Sequence, residues 1–261
     1  MRWFVKFSQH PIYTKRFCRN KQIVEPVKDN IWLIGDVHGC ADEFEDICKR
    51  IYQRTPNAKI IQLGDLIDRG PHFLEVFNVV DTYNVEVCIG NHELNFLLEH
   101  YGFKKCNSKP RQASHDIFST LNQDDQERVL KILNQSKNYI QILFDEGDDN
   151  FMPMECWFLS HSPIKQFEQI VVDETITNGW AYCARNQPYD ESLLHSDDHF
   201  VHGHQHWNYT DIEEQIEEFK LAKRNAINID GGCVYGGELI AYNICKNDFI
   251  KVKSKTTHFK Y

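Results

Sequence analysis

Three short stretches of this chain set a metal-ligating side chain directly after a glycine. Gly35-Asp36-Val37-His38-Gly39 follows the apolar run 31–34. Gly64-Asp65-Leu66-Ile67-Asp68-Arg69-Gly70 follows 59–63, and Gly90-Asn91-His92-Glu93 follows 85–89. Residues two apart in an extended chain share a face, so Asp36 and His38 offer a carboxylate oxygen and an imidazole nitrogen on one side. That donor pair suits a borderline divalent cation such as Mn, Fe, Zn or Co. Taken alone it also describes a buried acid beside a satisfied histidine. Asp65 and Asn91 repeat the arrangement from neighbouring segments, and His161 and His204 each end a further short apolar run. Such a set of Asp, Asn and His at separate strand ends is costly to desolvate without positive charge. Two cations about 3.5–4 Å apart, bridged by a carboxylate (most naturally Asp65), would offset that cost. They would also make hydroxide at neutral pH and clamp a phosphoryl group for in-line attack.

These corners need elements to hold them. Ala41–Arg54 spaces Phe44, Ile47, Cys48 and Ile51 as one apolar helix face. Pro71–Tyr83 does the same with Phe73, Val76, Phe77 and Val80, Pro71 standing at the first helical position. A third helix opens at Glu93. Strands alternating with such helices make βαβ units, mainly parallel pairing and right-handed crossovers. Function in such sheets gathers at the carboxyl ends of the strands, where all three glycine corners fall. Residues 101–136 break the alternation: Lys104–Ser114 reads as polar and irregular, and Asp124–Gln135 as a helix with Val129, Leu130, Ile132 and Leu133 as its stripe. Strands resume at Tyr139–Phe144, Glu155–Ser160, Phe200–His202, Ala226–Asp230, Leu239–Cys245 and Asp248–Lys253. Thr210–Arg224 is spaced like a solvated helix, with a partner-docking face as the other use for it. Residues 1–30 read as a short strand or hairpin, then an irregular basic segment with Lys15, Arg16, Arg19 and Lys21. The expectation is an α/β fold, a sandwich of mixed sheets flanked by helices. It forms one domain over 1–261, with its core at about 30–245 and a helical insertion at about 101–136.

Bulk properties exclude several classes. At 261 residues and 41% hydrophobic, the chain can bury a sizeable core. A net charge of -9 argues against general nucleic-acid binding, which needs clustered positive charge. The nine cysteines are scattered and odd in number, which favours free thiols in a reducing compartment. No signal peptide and no stretch long and apolar enough for a membrane span is visible, so a cytoplasmic location is expected (the host's, if the chain is phage-encoded).

The order of motifs (Gly-Asp-x-His-Gly, Gly-Asp-x-x-Asp-Arg-Gly, Gly-Asn-His-Glu, His, Gly-His) resembles that of the calcineurin-like metallophosphoesterases. Asp-Arg-Gly and Gly-Asn-His-Glu look like the phosphoprotein-phosphatase branch, and within it the small phage (lambda-type) and bacterial serine/threonine phosphatases. Asn30–Cys40 and the stretch from Ile229 to Gly237 read like theirs, and the resemblance runs from about residue 30 to 245. It implies that Asp36 and His38 hold a first metal, that Asp65 bridges, and that Asn91, His161 and His204 complete a second. It implies two divalent ions, Mn first, with Fe, Zn, Co and Ni as alternatives. His92 would protonate the leaving oxygen with Asp68 orienting it, and Arg69 would bind phosphate oxygens. Arg185 would be a second phosphate-binding Arg, although the expected Trp-Asn-Arg or Trp-Asp-Arg context reads Cys183-Ala184-Arg185. His206 is open between a further ligand of the first metal, as in the wider superfamily, and a surface histidine. Asp230 is open between a carboxylate near the metals and a cap for the glycine turn after it.

The activity so implied is hydrolysis of phosphate esters by a metal-activated hydroxide, on phosphorylated protein first: a serine/threonine or dual-specificity phosphatase. A bis(5'-nucleosyl)-tetraphosphate hydrolase shares the same core motifs and is the alternative. A phosphodiesterase or nuclease, suggested only by Gly203-His204-Gln205-His206, comes after both. The pattern leaves the oligomeric state open.

Overall fold

The computed structural model describes residues 20–25, 30–144, 155–162, 198–206, 211–221 and 225–255. The elements in chain order are β1 (Asn20–Glu25), β2 (Ile31–Ile34), α1 (Ala41–Arg54), β3 (Lys59–Gln62), α2 (Phe73–Thr82), β4 (Glu86–Val87) and α3 (Asn91–His100). Then follow α4 (Lys109–Thr120), α5 (Gln123–Gln135), β5 (Tyr139–Phe144), β6 (Glu155–Ser160), β7 (Asp198–His202), α6 (Ile212–Lys220), β8 (Ala226–Asn228), β9 (Glu238–Asn243) and β10 (Asp248–Lys253). They form two five-stranded sheets, ordered β10-β9-β2-β3-β4 and β1-β5-β6-β7-β8. The pairs β2–β3, β3–β4, β1–β5, β6–β7 and β7–β8 are parallel, while β9–β2, β10–β9 and β5–β6 are antiparallel. Both sheets are mixed, as expected: parallel pairs outnumber antiparallel ones three to one in the β1-β5-β6-β7-β8 sheet and equal them in the other.

Strand periodicity explains the layering. In β2, Ile31 and Leu33 point between the sheets and meet Ile61, Ile140, Ile142, Trp157 and Ile240. Trp32 and Ile34, on the other face, join Phe44, Ile47 and Ile51 of α1 and Phe77 of α2. Every residue of β2 is therefore buried, the mark of a strand covered on both sides. Each such side chain contributes about 1.5–3 kcal/mol on leaving water.

Boundaries differ from the sequence reading in instructive places. His72 caps α2, so Pro71 precedes the helix instead of opening it. α3 starts at Asn91, which puts Asn91 and His92 in its first turn. Lys21 lies in β1, not in an irregular segment. The largest difference is α4: a helix occupies Lys109–Thr120, and only Lys104–Ser108 of the stretch expected to be irregular stays so. α4 is fastened to α3 by the Glu99 carboxylate, which accepts from Arg111 Nε at 3.1 Å and pairs with His115 Nε2 at 3.1 Å. Phe118, Val129 and Leu133 bring α4 and α5 into the same core as α1 and α2. Cys40, Cys48, Cys88, Cys106, Cys233 and Cys245 are free thiols. No helix among the described residues is long and apolar enough to cross a membrane.

Candidate metal centre

The two sheets touch at their carboxyl ends. A Cβ on Gly35, after β2, would lie 2.1 Å from the Ile229 carbonyl oxygen after β8, and one on Gly203, after β7, would lie 2.1 Å from Asp36 Oδ1. Only glycine permits this approach. It brings together the corners carrying Asp36, Asp65, Asn91, His161, His204 and Asp230, one at the end of each of six strands.

Asp65 stands at the centre and divides its two oxygens. Oδ1 lies 3.3 Å from His161 Nε2, which is itself 3.2 Å from Asn91 Oδ1 and 3.0 Å from His204 Nδ1. Oδ2 lies 3.4 Å from His38 Nε2 and 3.8 Å from His92 Nε2. Two groups result that could each hold a metal ion, Asp65-His161-His204 and His38-Asp65-His92. Asp36 lies beside both: Oδ2 is 3.9 Å from His38 Nε2, and Oδ1 is 3.9 Å from His161 Nδ1 and accepts the His204 N–H at 3.1 Å.

The rings are aimed by their far nitrogens. His38 Nδ1 is 3.0 Å from the Ile67 carbonyl, and His161 Nδ1 is 2.8 Å from the Leu63 carbonyl. A carbonyl can only accept, so Nδ1 carries the proton in each and Nε2 presents a lone pair inward. Around His161 Nε2 the neighbours are then His204 Nδ1, Asn91 Oδ1 and Asp65 Oδ1, all able to act as acceptors. A divalent cation satisfies such a convergence of nitrogen and oxygen donors, so the residues fit the ion pair that the motifs imply.

Charge balance points the same way. Burial, with the Asp230 carboxylate second, pushes Asp36 well above the ordinary carboxylate range. Burial would raise Asp65 too, but the His161, His92 and His38 rings hold it well below that range. Burial disfavours a charged His161, yet Asp65 and Asp36 outweigh it and lift the ring to about 10. Burial and then His161 push His204 down to about 3. Burial and then the Arg69 guanidinium hold His38 well below the usual imidazole value.

Backbone strain gathers at the same place. His38, Asp65, Asp68, Arg69 and His204 have φ of 47°, 55°, 70°, 71° and 72°. Among the described residues the other non-glycine residues with positive φ are Asn84 and Asn247. Asn, Asp and His enter that region more readily than Arg does, but each such residue still costs on the order of 1 kcal/mol, and five gathered at one place need support. Much of the support comes from Glu93, whose role the sequence reading missed. Its Oε1 accepts from the N–H groups of Leu66 and Ile67 at 2.8 and 3.0 Å, and its Oε2 from those of Asp65 and Gly90, both at 2.9 Å. The reach from the third helical residue back to Gly90 is half of a capping box, a spacing visible in Gly90-Asn91-His92-Glu93. Buried Gln62 adds a tie between two corners, donating to the carbonyls of Gly35 and Gly64.

The remaining residues fall around this centre. His92 Nδ1 meets Asp68 Oδ2 at 2.6 Å, and Ser114 of α4 donates to the other oxygen of Asp68. Arg69 contacts His38 Nε2 and lies over the Tyr235 ring, 5.5 Å from its centroid. His206 is brought into neither donor group; its ring stacks on Tyr235 at 4.4 Å. Asp230 is buried, raised to about 6 chiefly by that burial, and accepts the Gly232 N–H at 3.1 Å, so it caps the glycine turn while facing Asp36. Arg185 lies outside the described residues.

A family model of calcineurin-like phosphoesterases matches residues 30–252. The chain belongs to that family. Among relatives of this phosphoesterase, the asymmetrical bis(5'-nucleosyl)-tetraphosphatase PrpE of Oceanobacillus iheyensis is 24% identical over 247 residues, covering 85% of this chain and 92% of that protein. A solved putative diadenosine tetraphosphatase superposes with a TM-score of 0.60 at 19% identity, covering 90% of this chain and 98% of the other. A serine/threonine phosphatase of Saccharomyces cerevisiae has the same fold at a TM-score of 0.51 and 11% identity, covering 98% and 90%. The phosphoesterase has the two-sheet α/β architecture of metal-dependent hydrolases, with two groups consistent with a pair of divalent ions.

Proposed function

We propose that this phosphoesterase hydrolyses bis(5'-nucleosyl) polyphosphates. The sequence motifs put phosphoprotein first and the dinucleotide second; the relatives support the dinucleotide better. The observation that carries the chemistry is the division of Asp65, one oxygen toward each donor group.

In this reading Asp36 and His38 would hold one ion, Asn91, His161 and His204 would hold the other, and Asp65 would serve both. The ions, when bound, supply the charge that acidifies water and neutralises phosphoryl oxygens. The protein's own groups do the rest. Arg69 holds non-bridging oxygens with a planar fork and is kept near His38 by Tyr235. His92 gives its Nε2 proton to the departing oxygen, with Nδ1 fixed on Asp68 so that the ring cannot turn. Asp230 faces Asp36 and keeps the glycine turn closed. Arg185 is assigned to a second phosphate contact on the motif order alone.

The test is kcat/KM with Mn²⁺ on diadenosine tetraphosphate, a phosphoserine peptide and bis-p-nitrophenyl phosphate. Preference for the dinucleotide by at least about tenfold supports the reading. Preference for the peptide would restore the protein phosphatase, and preference for the diester the phosphodiesterase.

A further inference from the structure

Away from Asp65, the described residues bring one more set of metal donors together. Glu99 near the end of α3, Cys106 in the loop that follows and His115 on α4 each place a ligand atom within 4.8 Å of the other two. None of the three belongs to the centre described above. A carboxylate, a thiol and an imidazole are the donors from which zinc sites are built.

Each donor is positioned by a neighbour that leaves its ligand atom in the group. The Glu99 side chain is 2% exposed, and Arg111 Nε takes its Oε1 at 3.1 Å. Oε2 faces His115 Nε2 at 3.1 Å. Two atoms bonded tetrahedrally to one zinc at about 2.0–2.1 Å stand roughly 3.4 Å apart, so this pair is already near that spacing. The His115 ring is stacked on Phe96, 4.3 Å between centroids and 10° between planes, which fixes the direction of Nε2. Cys106 Sγ donates to the Ser108 carbonyl at 3.5 Å, a weak bond for a thiol to give up. Its loop has room to bring the sulfur closer, since a Cβ on Gly102 would meet nothing within 4 Å. Cys106 is also partly exposed, unlike Cys40, Cys48, Cys88 and Cys233, so an ion can reach it from solvent. The Arg111–Glu99–His115 contacts hold α3 to α4 by themselves, and they give no use to a sulfur at their shared edge.

We propose that Glu99, Cys106 and His115 form a separate cation site, for zinc or another thiophilic divalent ion, with water in the fourth position. The Cys106 sulfur binds as thiolate and its proton goes to solvent. His115 binds as the neutral ring through Nε2, and Glu99 through Oε2. The ion ties the loop and α4 to α3. Ser114, next to His115 on α4, donates to Asp68, so the same ion steadies the helix that supports Asp68. This site stands whether or not the proposed activity does.

Cobalt(II) tests it, because a cobalt–thiolate bond gives a near-ultraviolet charge-transfer band that nitrogen and oxygen ligands do not. The donor groups around Asp65 contain no thiol, so cobalt bound there adds nothing to that band. The full chain titrated with Co²⁺ should develop the band, and zinc should bleach it by displacing the cobalt. Cys106→Ser should lose the band, whereas Asp65→Asn should keep it. His115→Gln, which retains much of the packing on Phe96, should weaken cobalt binding at the band by at least about tenfold. Absence of the band in the wild type, or its survival in Cys106→Ser, overturns the site. A band that depends on Cys106 but keeps its cobalt affinity within about twofold in His115→Gln also overturns it, since a single thiol would then account for the binding.

Discussion

His161 and His92 face the same carboxylate from opposite sides, and each has its Nδ1 tied down. His161 is tied to a backbone carbonyl at 2.8 Å, and His92 to the Asp68 carboxylate at 2.6 Å. The carbonyl is neutral and fixes a tautomer, leaving Nε2 a lone-pair donor suited to a cation. The Asp68 carboxylate accepts from Nδ1 and holds the His92 ring with Nε2 turned toward Asp65, the orientation that the proposed proton donor needs. Their surroundings differ to match. His161 is wholly buried among Asp65, Asn91 and His204, while His92 packs edge-on against the His38 ring, 4.8 Å between centroids. The same side chain is given two chemistries by what stands behind it.

The largest expected effect removes what the two sides share. Asp65→Ala should lower kcat by about 10⁴-fold and abolish the rise in melting temperature on adding Mn²⁺, because both ions lose an oxygen. Kinetics with Mn²⁺ titration would show it, and a normal Mn²⁺ response would break the symmetry drawn above. Next, the two histidines should fail differently. His92→Asn should cost about 10³-fold in kcat, more on an alkyl phosphate than on p-nitrophenyl phosphate, and keep Mn²⁺ affinity. His161→Asn should weaken Mn²⁺ binding instead, with losses partly restored at high Mn²⁺. Identical behaviour of the two variants would erase the distinction. The smallest effect sharpens the His92 side alone: Ser114→Ala removes one hydrogen bond to Asp68, about 1 kcal/mol, and should lower kcat about fivefold. That loss should again be larger for the poorer leaving group.

The corners were legible because glycine and ligand are adjacent, and because short apolar runs ending in Gly-Asp or Gly-Asn leave little choice of placement. α1 was legible from its stripe and matches over Ala41–Arg54. α4 was not, for a physical reason: its buried face is made of Arg111, Ser114 and Phe118, so two of the three inward residues are polar. Hydrophobic periodicity cannot register a face that packs through ion pairs and a hydroxyl. Yet that face holds Glu99 on one side and Asp68 on the other. Glu93 escaped for a related reason, since a carboxylate buried to receive backbone N–H groups looks in sequence like any helix-surface acid. His206 was left open between a ligand and a surface histidine by its spacing from His204, and its ring stacks on Tyr235.

The left-handed corners carry one further consequence. A residue kept in unfavourable backbone geometry relaxes as soon as its surroundings slacken, so the active centre is the first part of the molecule to sense a weakened interior. A cavity mutation away from the corners, such as Leu133→Ala in α5, would then be felt as a loosened grip on metal before any helix melts, and the ion would act as a gauge of how tightly the whole sandwich is closed.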